Sequence, residues 1–244
     1  MTDTLSPAEV GVEVTDGVCV VTLDRPARLN AFTSTGYLQL SQALAKADLD
    51  DAVRVVLIRG AGKAFSSGVD LDSLATADPE ELRTRFAALV GTLAGMTKPV
   101  VAAPHGVAVG FGMTLLLLCD VVLVAEGCRL RAPFTALGTV PEAGSSYLLP
   151  ALIGRQAAMD IVLSSRWITS TEAVRLGLAA VEIPPDDFDD VVRGYVRTIA
   201  GYAPASVIAS KRLLSSKRKQ RALDALAAEY NAAHALPRLT RPIG

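Results

Sequence analysis

Glu142 stands alone in an uncharged turn, Gly138-Thr-Val-Pro-Glu-Ala-Gly-Ser-Ser146, between two apolar stretches. A carboxylate in such surroundings can serve as a general base. The chain offers little other equipment for chemistry. It has two histidines and three scattered cysteines, Cys19, Cys119 and Cys128, and no cluster spaced to hold a metal. Two glycine-bearing segments are the other candidates, Lys63-Ala-Phe-Ser-Ser-Gly-Val-Asp70 and Gly106-Val-Ala-Val-Gly-Phe-Gly112. Glycines before a helix either let the chain turn or expose backbone N–H groups at the helix start. Neither segment has the spacing of a phosphate-binding loop or a dinucleotide fingerprint, and no Gly-x-Ser-x-Gly elbow is present. Two N–H groups converging from separate loops would make an oxyanion hole. Spacing alone leaves turn geometry and catalysis both open.

These segments need elements to position them. Residues 10–23 read as two strands around the turn Asp16-Gly17. Ser34 or Thr35 can cap a helix running to about Leu49, and Val53–Arg59 is a β-branched run. The spacing predicts a helix over 79–95, with Asp78 as cap and Pro79 in its first turn. The pattern then recurs: a short strand Pro99–Ala103, the second glycine loop, an apolar helix Met113–Cys119, and a strand Asp120–Val124. Strand, glycine loop and helix in alternation favour an α/β core. Beyond residue 154 helical patterns dominate, at about 155–164, 170–176, 186–201, 204–217 and 220–235, with one strand-like piece near 179–183. The expected plan is a core over residues 1–185 and a helical region over 186–244.

The 244 residues are 50% hydrophobic and 20% charged, with net charge −1, as in a globular protein with a sizeable core. That balance gives no reason to expect nucleic acid or an anionic membrane as partner. The apolar stretch Leu115–Cys119 is far too short to cross a bilayer, and Met1–Thr4 does not begin like a secretory signal. An odd number of unpaired cysteines suits a reducing, cytoplasmic setting.

Several segments together resemble the crotonase family, the enoyl-CoA hydratases and isomerases. They are Asp24-Arg-Pro-Ala-Arg-Leu-Asn-Ala31, Ala64-Phe-Ser-Ser-Gly-Val-Asp-Leu71, the run from Lys98 to Gly112, Cys119-Asp120, Leu137-Gly-Thr-Val-Pro141 and Trp167–Leu178. Their order covers nearly the whole chain. The resemblance implies a superhelix of repeated ββα units, followed by helices that make trimers, often paired as hexamers. It implies an acyl-CoA thioester as substrate rather than a resident cofactor. Its carbonyl would sit between the backbone N–H groups of Ser67 and Phe111. The first loop, through Ala64, Phe65, Ser66, Gly68 and Asp70, would meet the CoA moiety, with Arg28 and Lys211 toward its phosphates. Asp70 can equally serve to hold its loop by backbone hydrogen bonds, and a basic helix can equally be a solvated face.

The acids then separate the reactions. Hydratases of the family use two glutamates, whose places here fall on Thr114 and Phe134. Neither residue transfers a proton as a carboxylate does. Pro-Glu-Ala-Gly-Ser-Ser-Tyr147 resembles the segment that carries the base of Δ3,Δ2-enoyl-CoA isomerases, so the resemblance implies an isomerase of β-oxidation with Glu142 as base. An atypical hydratase and a non-catalytic acyl-CoA binder are the alternatives. Burial would raise the pKa of Glu142 and a neighbouring helix N-terminus would lower it, and the sequence leaves that balance open.

Overall fold

The structure is a computed structural model that describes residues 8–237; the expected outer bounds 1 and 244, and Met1–Thr4, lie outside them. Strands β1 (Val10–Thr15) and β2 (Val18–Leu23) form the expected hairpin, with Asp16 and Gly17 both at positive φ in the turn. Helix α1 (Ser34–Leu49) starts one residue earlier than a Ser34 cap implies, because Thr33 is the cap and takes the Gly36 N–H. β3 (Val55–Gly60) leads through the first glycine loop into a short helix α2 (Leu71–Thr76) and then α3 (Pro79–Gly95), whose Asp78 caps two amides.

β4 (Val100–Ala103) enters the second loop, which is less loop than its glycines suggest. It contains β5 (Val107–Val109) before α4 (Phe111–Thr114), and a 3-10 turn over Leu115–Leu118 completes the apolar segment. β6 (Val121–Ala125), β7 (Arg129–Arg131), α5 (Ser145–Ile153), α6 (Arg155–Ser164), β8 (Trp167–Thr169), α7 (Ser170–Leu176) and β9 (Val181–Ile183) follow. The C-terminal helices are α8 (Phe188–Gly201), α9 (Pro204–Leu214) and α10 (Arg218–Ala235).

The larger sheet runs β1-β2-β3-β4-β6-β9, parallel except for the hairpin, and a smaller sheet runs β5-β7-β8. β4 with β5 and β6 with β7 each lay one strand in either sheet before a helix, the repeated ββα plan that the sequence implied. Both faces of the larger sheet are covered, which is why its central strands read as unbroken apolar runs. Val56, Ile58, Val100 and Ala102 join the main core with α1 and α3. Val55, Leu57, Val101 and Ala103 face Val192 and Val196 of α8. The helical region thus begins by closing the sheet, whereas α10 packs against α3 and α5.

Candidate active site

Both glycine loops leave the carboxyl ends of parallel strands, β3 and β4, and the backbone joins them. Phe65 N donates to the His105 carbonyl (2.9 Å), Ser66 N to Val107 (3.1 Å), and Val109 N to Ser66 (3.0 Å). Gly68 is one point of close approach. Its φ is +92°, and a Cβ there would lie 2.7 Å from the Val109 carbonyl oxygen and 3.5 Å from Gly110 Cα. No other residue fits that point.

The structure corrects one expected donor. The Ser67 N–H is already given to the Leu29 carbonyl at 2.9 Å, so it cannot serve a substrate oxygen without breaking that bond. Phe32 pairs with the same loop as an isolated parallel bridge, donating to Gly68 and accepting from Asp70. Residues 68 and 70 face Phe32, so the Val69 N–H between them points the other way. No acceptor among the described residues meets it. Phe111 opens α4, where a first-turn N–H has no partner within the helix. Val69 and Phe111 therefore each carry a free donor, one from each of the converging loops. The bridge that selects Val69 pairs residues far apart in sequence, and no local pattern reveals it.

The remaining residues of the expected CoA site are placed unevenly. Ala64, Phe65 and Ser66 are buried, and the Ser66 hydroxyl donates to Asn30 O (2.9 Å) while accepting from Gly68 N (3.1 Å). That segment offers a ligand no free side chain. Asp70 caps α2 through Ser73 N (3.1 Å) and pairs with Arg25 (2.9 Å) and Arg28 (3.3 Å). The two guanidinium groups and the Ser73 amide hold its carboxyl below the usual range against the opposing pull of burial. Arg28 is half-exposed at this loop and also meets Asp72.

Lys211 is not at the loops. It is buried, with Nζ 2.6 Å from Asp120 and 2.7 Å from the Lys98 carbonyl, and burial pulls its pKa down. Asp120 in turn accepts from Val100 N, at the amino ends of β4 and β6. The loops leave the opposite ends of these strands. Lys211 is thus an internal tie between α9 and the sheet, not a partner of Arg28. His105 bonds Gly62 O through Nε2 (3.0 Å), a structural link between the loops.

Glu142 lies in the turn before α5, next to Ala143 and Gly144 at φ +61° and +75°. A non-glycine residue held in the left-handed region is a local strain of the kind found beside functional groups. The carboxyl keeps some accessible surface, yet protein crowds it from the other sides. Burial pushes its pKa up to about 7, and the charge of Glu229 adds to the rise. No hydrogen-bond donor among the described residues reaches it. The neighbouring helix start does not lower it, because Glu229 of α10 takes the free amides there: Gly144 N at 2.8 Å and Ser146 N at 2.7 Å.

Tyr37 of α1 also bears on Glu142; its phenol is pushed well up by burial and by that carboxylate. Tyr37 stacks with Phe32 and meets Phe86 and Phe111 edge-on, at centroid distances of 5.3–5.4 Å, and Phe32 and Phe86 each meet Phe111 edge-on at 5.0 Å around the second donor. The two hydratase positions are closed by packing. Thr114 is buried with its hydroxyl on Gly110 O (3.3 Å), and Phe134 is buried in the core. The group therefore comprises two free N–H donors, one proton-accepting carboxylate poised near neutrality, and aromatic walls. It can remove a proton next to a carbonyl and hold the charge that forms. Among the described residues no three His, Cys, Asp or Glu side chains gather as a metal set.

Comparison with known proteins agrees with the architecture. The profile described as enoyl-CoA hydratase/isomerase matches residues 13–238. The chain is 33% identical to the 1,2-epoxyphenylacetyl-CoA isomerase of Escherichia coli K12, over 77% of this chain and 74% of that protein. It is 34% identical to enoyl-CoA delta isomerase 2 of Rattus norvegicus, over 86% of this chain and 56% of the rat protein. Other relatives are named as probable hydratases. Among solved structures, an enoyl-CoA hydratase/isomerase from Pseudoalteromonas atlantica superposes with a TM-score of 0.89 at 31% identity, covering 96% of this chain and 93% of that one.

Proposed function

Because the chain belongs to the enoyl-CoA hydratase/isomerase family, we propose that within this acyl-CoA chemistry it acts as a Δ3,Δ2-enoyl-CoA isomerase with Glu142 as the base. The thioester oxygen lies between the N–H groups of Val69 and Phe111. Glu142 removes a proton from C2 of a 3-enoyl-CoA, the two donors hold the dienolate oxygen, and the same carboxyl returns the proton to C4. The double bond moves, and the enzyme ends in its starting protonation state. A donor of this kind is worth about 3–4 kcal/mol in the transition state.

The observation that carries this reading is the single available carboxylate. Hydration needs a second group to orient water, and the two places for it hold buried Thr114 and Phe134. Glu229 is no substitute, since both its oxygens are taken by backbone amides. We extend the reading to a trimer or a dimer of trimers, to the cytoplasm, and to fatty-acid β-oxidation. No helix among the described residues is long and apolar enough to cross a membrane.

The test is a two-substrate assay. Glu142→Gln is expected to lower isomerisation of 3-hexenoyl-CoA by about 10³-fold. Hydration of crotonyl-CoA that is robust and survives this substitution overturns the isomerase assignment. Binding of acyl-CoA with turnover of neither substrate overturns the enzyme.

A further inference from the structure

The mechanism above uses one carboxylate, yet the structure buries a second one beside it. Glu229 is 6% exposed and lies on the last helix, 87 residues beyond the base in sequence. Its place in α10 is on the buried stripe with Ala222 and partly buried Leu226, at helical spacing, where an apolar residue is the ordinary choice. It forms no ion pair among the described residues. A buried carboxylate without a cation is costly to keep unless it does something for the structure or the site.

We propose that Glu229 is a positioning residue for Glu142: from α10 it occupies the amino end of α5 and keeps a second negative charge facing the base. The inference rests on the reading of Glu142 as the base. The geometry has two parts. First, Oε2 and Oε1 accept the amides of Gly144 and Ser146, two and four residues past Glu142. These are the N–H groups that a helix start would otherwise offer to the nearest carboxylate, which is Glu142 itself. With both occupied, Glu142 is left without a donor and its lone pairs stay free for the substrate's proton. Second, α10 is pressed against the same turn: a Cβ at Gly144 would lie 2.7 Å from the Ala222 carbonyl. The left-handed turn of Ala143 and Gly144 is thereby fixed between α5 and α10, and with it the direction of the base.

The electrostatics follow. The titratable groups bearing on Glu142 are Glu229 from α10 and Tyr37 from α1, and neither supplies positive charge. Burial raises Glu229 as well, while the Ser146 and Gly144 hydrogen bonds pull it back. A helix start that would make Glu142 a weaker base is thus converted into a neighbour that makes it a stronger one.

The test follows the Glu142 carboxyl directly, by infrared difference spectroscopy on the whole chain, with the band assigned by its loss in Glu142→Gln. In the wild type the protonated band is expected to vanish with a midpoint near 7. Glu229→Gln lowers that midpoint by about one pH unit, whereas Glu229→Asp, which keeps the charge, restores it. In parallel, kcat/KM of Glu229→Gln for 3-hexenoyl-CoA rises up to about tenfold below the wild-type midpoint and drops on the high-pH plateau, as a weaker base requires. An unmoved midpoint in Glu229→Gln overturns the proposal and leaves Glu229 a mere helix cap. If that variant does not fold, the wild type alone decides, since a Glu142 band already ionised at pH 5 overturns it too. Full isomerase activity in Glu142→Gln sinks the base assignment separately, and a midpoint shift seen alongside it leaves the coupling of the two carboxyls standing.

Discussion

At the scale of single residues, reactivity and stability pull Glu142 in opposite directions. Its pKa of about 7 means that kcat/KM rises with pH and levels off above neutrality, because only the ionised carboxylate accepts a proton. The effect on folding has the other sign. An ordinary glutamate in the unfolded chain ionises near 4.5, so between that pH and about 7 the native state holds a proton that the unfolded state has lost. Stability therefore falls as pH rises through this window, by at most roughly 3 kcal/mol, less what the accessible side of the group regains from water. Glu142→Gln removes that loss. Its melting temperature is expected to exceed the wild type's at pH 8 and to match it near pH 4, a comparison that calorimetry at the two pH values makes directly. Glu142 was legible in the sequence because it stands alone in a segment without other charge. Ser67 was misplaced and Val69 missed because the free amide is selected by a bridge to Phe32, 37 residues away, that has no local signature. Glu229 left a faint signal, an acid on the apolar stripe of an Ala/Leu-rich helix.

At the scale of elements, the site depends on two loops that start from neighbouring parallel strands and pack backbone to backbone, closely enough at Gly68 to exclude a side chain. Gly68→Ala places a methyl against the Val109 carbonyl and imposes a positive φ on alanine. The loops must separate, and the donors at Val69 and Phe111 then lose their common target. A drop in kcat of about 10²-fold is expected, with acyl-CoA affinity changed much less; steady-state kinetics and calorimetric titration of a non-reactive acyl-CoA measure the two. The sequence displayed most of this layer. The hairpin, α1, α3, β4, β6 and the C-terminal helices stand close to where periodicity and capping residues put them, since each is marked by local chemistry. β5, β7 and β8 were not visible as strands. They are three residues each, and they exist because the chain crosses to a second sheet, a long-range pairing rather than a local preference.

At the scale of the whole molecule, the apolar surface is uneven. A groove of about 780 Å³ lies outside α5 and α9, lined by Leu117, Leu152, Tyr195, Val207 and Leu214. Leu213 and Leu214 are among the most exposed large apolar residues described, at 76% and 90%. Surface of this kind fits the proposed assembly of copies. Leu214→Lys is expected to shift the particle from trimer toward monomer in light scattering; an unchanged mass excludes this face from the interface. Composition reported a globular chain, but not which side of it is sticky, because that depends on which leucines the fold leaves outside. Order of synthesis gives the last helix a further meaning. Glu142 leaves the ribosome long before Glu229, so the nascent chain can build its spiral, both loops and the base while the amino end of α5 is still unclaimed. During that interval the base has the helix start for a neighbour and lacks the charge that α10 brings. The surroundings that tune the base are therefore completed only when α10 docks on α3 and α5.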